Sequence, residues 1–537
     1  MTTAAPPLDR ARMLAEIAAR PDFDVVVVGG GITGAGTFRD LALQGLRVLL
    51  VERSDFASGA SGALTRIAHG GFRYLERGDI ALVRDSVIER DRLLANAPHA
   101  VKPIRVVLPL SARLKGLVTA PLGFLRLAKM SGLPGTLAMR LAGLLYDGLA
   151  PRPRALPRTR LVARAGFPPR LRPLAPRYRA LLTMGEGRIH MPERVAVELV
   201  EDGVVAGSGS VALNHCPLVE ADGGRLTIED RLGGTLHVVT ARAVVNAAGA
   251  HADAVAALFG PAEPMTGGVA GIHLLVDAPE AAAALGDDLL FFEDAARRRL
   301  CVTYQIAPGR LLLGTTEAPV ADPDAASATP DDEAYLLAAL AAALPDLPPP
   351  SVVERIVGVR PLLRSSDAQL SARSRDHAVL TRAIGEATLV TVIGGKWTTF
   401  RRMAADAADA VLSALGRSRA IDTAALPIGG GRNYRRSDTE RTAAEAALVA
   451  TGVGPRLAAR LVETYGSRAP RVAASILAHG ADAISDDGRL THGEVVFFAR
   501  EEMAATADDI IRRRTDQFFT TADRAALARR IDGMLKD

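Results

Sequence analysis

One stretch constrains this chain more than any other: Asp24-Val25-Val26-Val27-Val28-Gly29-Gly30-Gly31-Ile32-Thr33-Gly34-Ala35-Gly36. Four consecutive valines suit a strand buried on both faces, as in a parallel sheet. The run stops abruptly at glycines, and a helical pattern follows from Thr37 through Gln44. Gly29, Gly31 and Gly34 fit the G-x-G-x-x-G spacing of a dinucleotide site. The first permits the tight turn, the second lets backbone approach a pyrophosphate, and the third lets helix and strand pack closely. The anion would sit on the helix N-terminus, where unpaired N–H groups and the dipole favour negative charge. A second apolar run, Val48–Val51, ends in Glu52, where a ribose-binding carboxylate belongs. Gly29, Gly30, Gly31, Gly34 and Glu52 are therefore candidate cofactor contacts.

With 537 residues, the chain can build a large core and two or three domains. Its only cysteines, Cys216 and Cys301, exclude a disulfide framework or a cysteine metal cluster, and no metal site is expected. Met1 to Pro21 lacks a basic region followed by an apolar one, so no secretory signal is expected. No charge-free apolar stretch is long enough to span a bilayer. The net charge of +5 is unevenly spread: Val101 to His190 holds seventeen Lys/Arg against two acids, Asp147 and Glu186. A segment so basic needs a partner or a reason. Ser111 to Ala150 divides at Pro121 and Pro134 into short amphipathic pieces, and Pro151 to Arg179 is rich in Pro and Arg. Apolar helices with basic flanks suit an anionic lipid interface. Nucleic acid is not expected, because the segment lacks interleaved aromatics and a binding motif.

Further along, Arg66 to Tyr74 places paired glycines beside His69 and Arg73, which suggests backbone passing close to a ligand; a surface turn is the plainer alternative. Helices are expected over Asp79–Asn96 and His190–Ser208, and two antiparallel strands over Arg225–Thr240. Ala243 to Gly249 reads as another short buried strand, ending at the candidate cofactor residue Gly249. From Pro264 to Leu380 short β-like runs dominate, with one helix at Asp331–Ala343, and this second region carries His273, Arg360 and Arg375. Thr388 to Thr399 then repeats the opening logic: a buried strand, the pair Gly394-Gly395, Lys396, and a helix from about Thr399 to Leu415. Beyond Gly429 the pattern is helical.

These pieces, in this order, resemble the FAD-dependent, aerobic respiratory glycerol-3-phosphate dehydrogenases. Four motifs carry the resemblance: Gly29 to Gly36, His69-Gly70-Gly71-Phe72-Arg73-Tyr74-Leu75-Glu76, Gly358-Val359-Arg360-Pro361-Leu362, and Gly394-Gly395-Lys396-Trp397-Thr398-Thr399-Phe400-Arg401. Tyr465 to Ala469 and Glu494 to Met503 are similar to that family's helical cap. The resemblance implies an α/β plus α+β architecture. Its Rossmann-like FAD-binding domain would comprise residues 22–100, 185–262 and 381–415. A mostly antiparallel substrate domain (263–380), a basic membrane-facing insertion (101–184) and a C-terminal helical domain (425–537) complete it. The implied cofactor is FAD, held also by Gly249, Gly394, Gly395 and Thr398. Arg73, Tyr74, Arg360, Arg375 and Lys396 would converge on a polyol phosphate, since a dianion calls for bidentate guanidinium or a point cation. His69 or His273 would take the hydroxyl proton as hydride leaves C2 for flavin N5; imidazole suits that role near neutral pH, and Arg360 would assist. The resemblance further implies a membrane quinone as acceptor, peripheral attachment to the inner face of the cell membrane, and a possible homodimer.

Three positions depart from the family. The family's Ser/Thr-rich run ending in Ser-Ser-Lys before His-Gly-Gly is here Ser61-Gly62-Ala63-Leu64-Thr65-Arg66, the paired Asp before an Arg gives way to Gly187 through Arg194, and the Asp after Gly314-Thr315-Thr316 is Glu317. These changes bear on the substrate more than on the reaction type. A tetritol phosphate as substrate, oxygen as acceptor, an amine or amino-acid oxidase, and a flavin-binding protein without turnover remain as alternatives; four candidate cations weigh against the amino-acid oxidase.

Overall fold

The computed structural model describes residues 8–115, 133–207, 209–294, 299–364, 376–434 and 437–536. The valine run forms the strand Asp22–Val28, in which Val25, Val26 and Val27 are fully buried. It pairs in parallel with Val48–Val51 on one side and Thr235–Asn246 on the other. The sheet continues through Ala387–Gly394 to the edge strand His377–Ile384, and through Val48–Val51 to Val211–Leu213.

Helix Ile32–Leu43 starts directly after Gly31, earlier than the periodicity from Thr37 indicates. Gly34 and Gly36 have no side chain to reveal a period, yet their bareness makes this start possible. A Cβ on Gly34 would lie 1.8 Å from the Gly29 carbonyl oxygen, and one on Gly36 would lie 2.9 Å from the Phe400 ring. The first helix is thereby pressed onto the glycine turn and against helix Phe400–Ala414. Ala243 to Asn246 is likewise no separate strand. Thr235–Asn246 runs unbroken, antiparallel to Arg225–Asp230 over its first half and parallel to Asp22–Val28 over its second. Its exposure changes from half-exposed ribbon to fully buried core at Ala243, which is why one strand reads as two.

A second sheet of ten strands runs in the order Ala318–Pro319, Thr266–Asp277, Arg310–Gly314, Leu300–Ala307, Asp288–Glu293, Val101–Leu110, Ala180–Ile189 and Ile67–Ala68. Ser351–Leu363 lies against Thr266–Asp277 over nearly its whole length. Neighbours are antiparallel among the described residues, except for Asp288–Glu293 beside Val101–Leu110. This order corrects the expected boundaries. Val101–Leu110, Arg160–Ala163 and Ala180–Ile189 are strands of this sheet rather than parts of a separate insertion. His377–Ile384, placed by the boundary at 380 partly in the second domain, belongs wholly to the first sheet. Ladder partners far apart in sequence leave no mark in local composition, so the basic charge hid them.

The basic segment finds many of its partners within the chain. Arg105 and Arg170 both bond Asp288, and Lys102 pairs with Glu463 of the C-terminal helices. Among the described residues, helix Thr136–Leu149 turns one apolar side outward. It buries Met139, Gly143, Tyr146 and Asp147 on one side and leaves Leu137, Leu141, Leu144 and Leu145 between 38 and 57 % exposed on the other. Pro121, Arg126 and Lys129 lie outside the described residues. The C-terminal helices close over their own core and are fastened to the rest by two fully buried ion pairs. Arg194 donates to both oxygens of Glu502, at 2.6 and 3.0 Å, and Arg514 to both of Asp55, at 2.8 and 3.0 Å.

Candidate active site

The cofactor end is built by the first turn. Gly29 adopts φ +108°, and the Gly30 N–H donates to Glu52 Oε2 at 2.6 Å. Burial pushes the Glu52 carboxyl up, against the Ser54 and Gly30 N–H groups that favour its ionised form. The Ile32 N–H at the head of the helix donates to Ser61 Oγ at 2.8 Å, so that helix N-terminus already faces a polar group. Gly249 takes left-handed backbone and has open space where a Cβ would stand. Such a cradle of bare backbone, a helix N-terminus and a buried acid fits a dinucleotide. Gly394 and Gly395 also take left-handed backbone and lead into buried Thr398, whose hydroxyl accepts the His69 N–H at 3.2 Å. The two most specific sequence motifs, 325 positions apart, therefore touch.

The structure gathers the remaining candidates into two groups. In the first, Lys396 Nζ lies 4.6 Å from the centre of the Tyr74 ring and donates to Ser86 Oγ. The His69 and Tyr74 rings stand 6.4 Å apart, and Arg73 is exposed on the same turn. In the second, on the large sheet, His273 Nε2 lies 2.9 Å from Thr65 Oγ1. Arg360 donates to Glu317 at 3.0 Å, and Glu317 also holds Arg299 at 2.9 Å. Two guanidiniums thus share the Glu317 carboxylate. Segment 63–74 joins the groups, since Thr65 and His69 are its own residues. Arg375 lies outside the described residues.

His273 is buried, and burial first, then the charges of Arg360 and Arg66, lowers its pKa to about 3. It is thus neutral near pH 7, the state in which imidazole accepts a proton. An anion bound beside Arg360 would offset part of that depression and make the ring more basic when substrate is present.

Two of the sequence departures meet. Arg66 donates to Glu193 and to the His190 carbonyl oxygen, at 3.0 Å for the latter, with its guanidinium 4.5 Å from the centre of the Phe519 ring. Both side chains are about 96 % buried. Thr65, Ser86 and Arg299 also touch these groups, and Glu186 accepts the Gly70 N–H beneath the His69–Tyr74 turn; none of them was singled out. Thr65 adjoins a flagged motif, and Glu186 is one of only two acids in the basic segment; those were the available signals.

A mostly parallel sheet carrying a bare-backbone turn, together with a mostly antiparallel sheet bearing His273, Arg299 and Arg360, is the arrangement of a dinucleotide-dependent oxidoreductase. Residues 24–401 match the family described as FAD dependent oxidoreductase, and residues 421–535 match the C-terminal domain of alpha-glycerophosphate oxidase. The chain is 31 % identical to the glycerol-3-phosphate dehydrogenase of Synechocystis, covering 93 % of this chain and 90 % of that protein. It is 30 % identical to glycerol-3-phosphate dehydrogenase 1 of Mycobacterium tuberculosis, covering 96 % of both. Among solved structures, the glycerol-3-phosphate dehydrogenase of Bacillus halodurans complexed with FAD superposes with a TM-score of 0.74 at 22 % identity, over 99 % of this chain and 94 % of that one, and shares the fold. The chain belongs to the glycerol-3-phosphate dehydrogenase family of FAD-dependent oxidoreductases, and its cofactor is FAD.

Proposed function

We propose that the chain oxidises sn-glycerol 3-phosphate to dihydroxyacetone phosphate and passes the electrons to a membrane quinone. The observation that carries this reading is the excess of cations: Arg299 and Arg360 share Glu317, and Lys396 stands beside Tyr74. A phosphate dianion suits such a pocket better than a single carboxylate does. FAD, when bound, would supply the two-electron acceptor for the hydride that leaves C2. His273 or His69 takes the hydroxyl proton. Arg360 and Lys396 hold the phosphate, with Arg73 and Arg375 as further candidates.

The acceptor and location rest on helix Thr136–Leu149, whose four outward leucines suit the boundary of an anionic lipid layer. Anaerobic mixing tests the chemistry: glycerol 3-phosphate bleaches the flavin and glycerol does not, and an unbleached spectrum refutes the reading. Turnover of a tetritol phosphate in preference would transfer the chemistry to that substrate, and peroxide release in place of quinone reduction would replace the acceptor. Leu141→Asp with Leu144→Asp should abolish sedimentation with anionic vesicles; unchanged sedimentation refutes the lipid face.

A further inference from the structure

The turn that carries His69, Arg73 and Tyr74 contains two adjacent glycines, and a backbone so free needs an anchor to present side chains in one geometry. That anchor lies directly beneath it. The Gly70 N–H donates to Glu186 Oε2 at 2.9 Å. The Tyr146 hydroxyl donates to Glu186 Oε1 at 2.8 Å, and Arg90 donates both to Glu186 Oε2, at 2.9 Å, and to the Tyr146 oxygen, at 2.8 Å. All three side chains are at least 96 % buried. The fit is close: a Cβ on Gly70 would fall 2.0 Å from the Tyr146 oxygen and 2.7 Å from Val87. Phe72 of the same turn packs edge-on against the Tyr146 ring, with centroids 5.4 Å apart.

We propose that Glu186, oriented by Tyr146 and Arg90, is a positioning residue that fixes the substrate turn His69–Tyr74. The assignment rests on the reading of that turn as part of the phosphate pocket. Glu186 touches neither the cationic pair on the large sheet nor the glycine turn at the cofactor end, so it acts through Gly70. Its charge belongs there only because Arg90 compensates it; an unpaired carboxylate beneath the pocket would repel a phosphate dianion. Tyr146 keeps its proton, because burial and the Glu186 carboxylate push its pKa well above the ordinary value, and it therefore stays a donor throughout the working pH range. The three partners come from helix Ile80–Asn96, helix Thr136–Leu149 and strand Ala180–Ile189, so the turn is held from three elements at once.

The test uses the FAD-loaded full chain in steady state with glycerol 3-phosphate. Tyr146→Phe and Glu186→Gln each raise KM about tenfold, as expected for the loss of a charge-assisted hydrogen bond. Bound FAD per chain is retained, kcat stays within about threefold, and the double variant is no worse than Glu186→Gln alone, because both act through one contact. If Glu186→Gln fails to fold, Tyr146→Phe decides. A KM within twofold of the parent in Tyr146→Phe overturns the proposal, as does a parallel fall of kcat, FAD content and thermal midpoint. Arg73→Ala separates the two levels. If it raises KM while the anchor variants do not, the positioning role fails and the turn remains part of the phosphate site; if neither Arg73→Ala nor the anchor variants raise KM, the turn lies outside that site and the proposal falls, while Arg360 and Lys396 still carry the proposed function.

Discussion

Gly34→Ala tests how the cofactor site is built. The added methyl would stand 1.8 Å from the Gly29 carbonyl oxygen, where ordinary contact begins near 3.4 Å. Relief requires helix Ile32–Leu43 to move outward by about 1.6 Å. The helix has little room to do so. Gly36 abuts the Phe400 ring on one flank, and Phe38 of the same helix lies against Gly203 on another, where a Cβ would already be 2.5 Å from the ring. Overpacking of this kind costs about 1–3 kcal/mol. A shift of that size also carries the helix N-terminus out of hydrogen-bond reach of an anion, and each lost bond to a charged group costs about 1.5–3 kcal/mol, a 10- to 150-fold loss of affinity. Flavin absorbance per chain after purification, followed by FAD titration of the stripped protein, reads the loss. Gly533→Ala is the matched control: it lies in helix Arg524–Met534 with open space around its Cβ, and it should raise stability by up to about 1 kcal/mol with FAD affinity unchanged. A Gly34→Ala protein that binds FAD within threefold of the parent would refute this account of the turn.

Arg360→Gln should raise KM for glycerol 3-phosphate about 10- to 100-fold with bound FAD per chain retained; an unchanged KM would show that Arg360 does not read the phosphate. His273 and His190 are both held neutral by burial and neighbouring cations, each with a pKa lowered to about 3. The unfolded chain therefore binds more protons between about pH 3 and 6.5, so stability is complete above 6.5 and falls as the pH drops through that window. Thermal midpoints should decline from pH 6.5 to 4, less steeply in His190→Gln, and a flat profile would contradict the assignment. Glu193→Ala leaves Arg66 buried without its carboxylate and should cost about 3–5 kcal/mol in denaturant unfolding, whereas Arg66→Met combined with Glu193→Leu should cost much less; equal losses would mean that the pair is not the source of the penalty.

The parts of the site that were legible in the sequence are those in which chemistry and chain direction coincide. Strand, glycines and helix follow one another at Val25–Leu43 and again at Leu389–Ala414, so each site half is spelled out within some twenty residues. Long-range pairing was not legible. The basic segment concealed three strands, because Val101–Leu110 finds its ladder partner some eighty residues later at Ala180–Ile189. Glu186 carried no motif; its importance comes from Gly70, Tyr146 and Arg90, which reach it from 116, 40 and 96 positions away. A carboxylate that gathers donors from three elements looks, in one dimension, like a lone acid among arginines.

The departures from the family pattern carry the same lesson further. Taken one at a time, Arg66 and the stretch Gly187–Arg194 each looked like a change in the pocket. In space they are one feature, because Arg66 and Glu193 form a buried ion pair across 127 positions. Arg66 stands where the family has Lys, and Glu193 lies in the stretch that replaces its paired Asp, so opposite charges are kept; removing either partner alone would leave the other buried and uncompensated, at a cost of several kcal/mol. Beside them Thr65 keeps a hydroxyl within 2.9 Å of His273 Nε2, and Glu317 still gathers Arg360 and Arg299. The Arg66 charge also helps to lower the His273 pKa, less than burial or Arg360 does. Glu317, the third departure, bonds Arg360 and Arg299 directly, so it is this change, and not the Arg66–Glu193 pair, that touches the cations proposed to hold the phosphate.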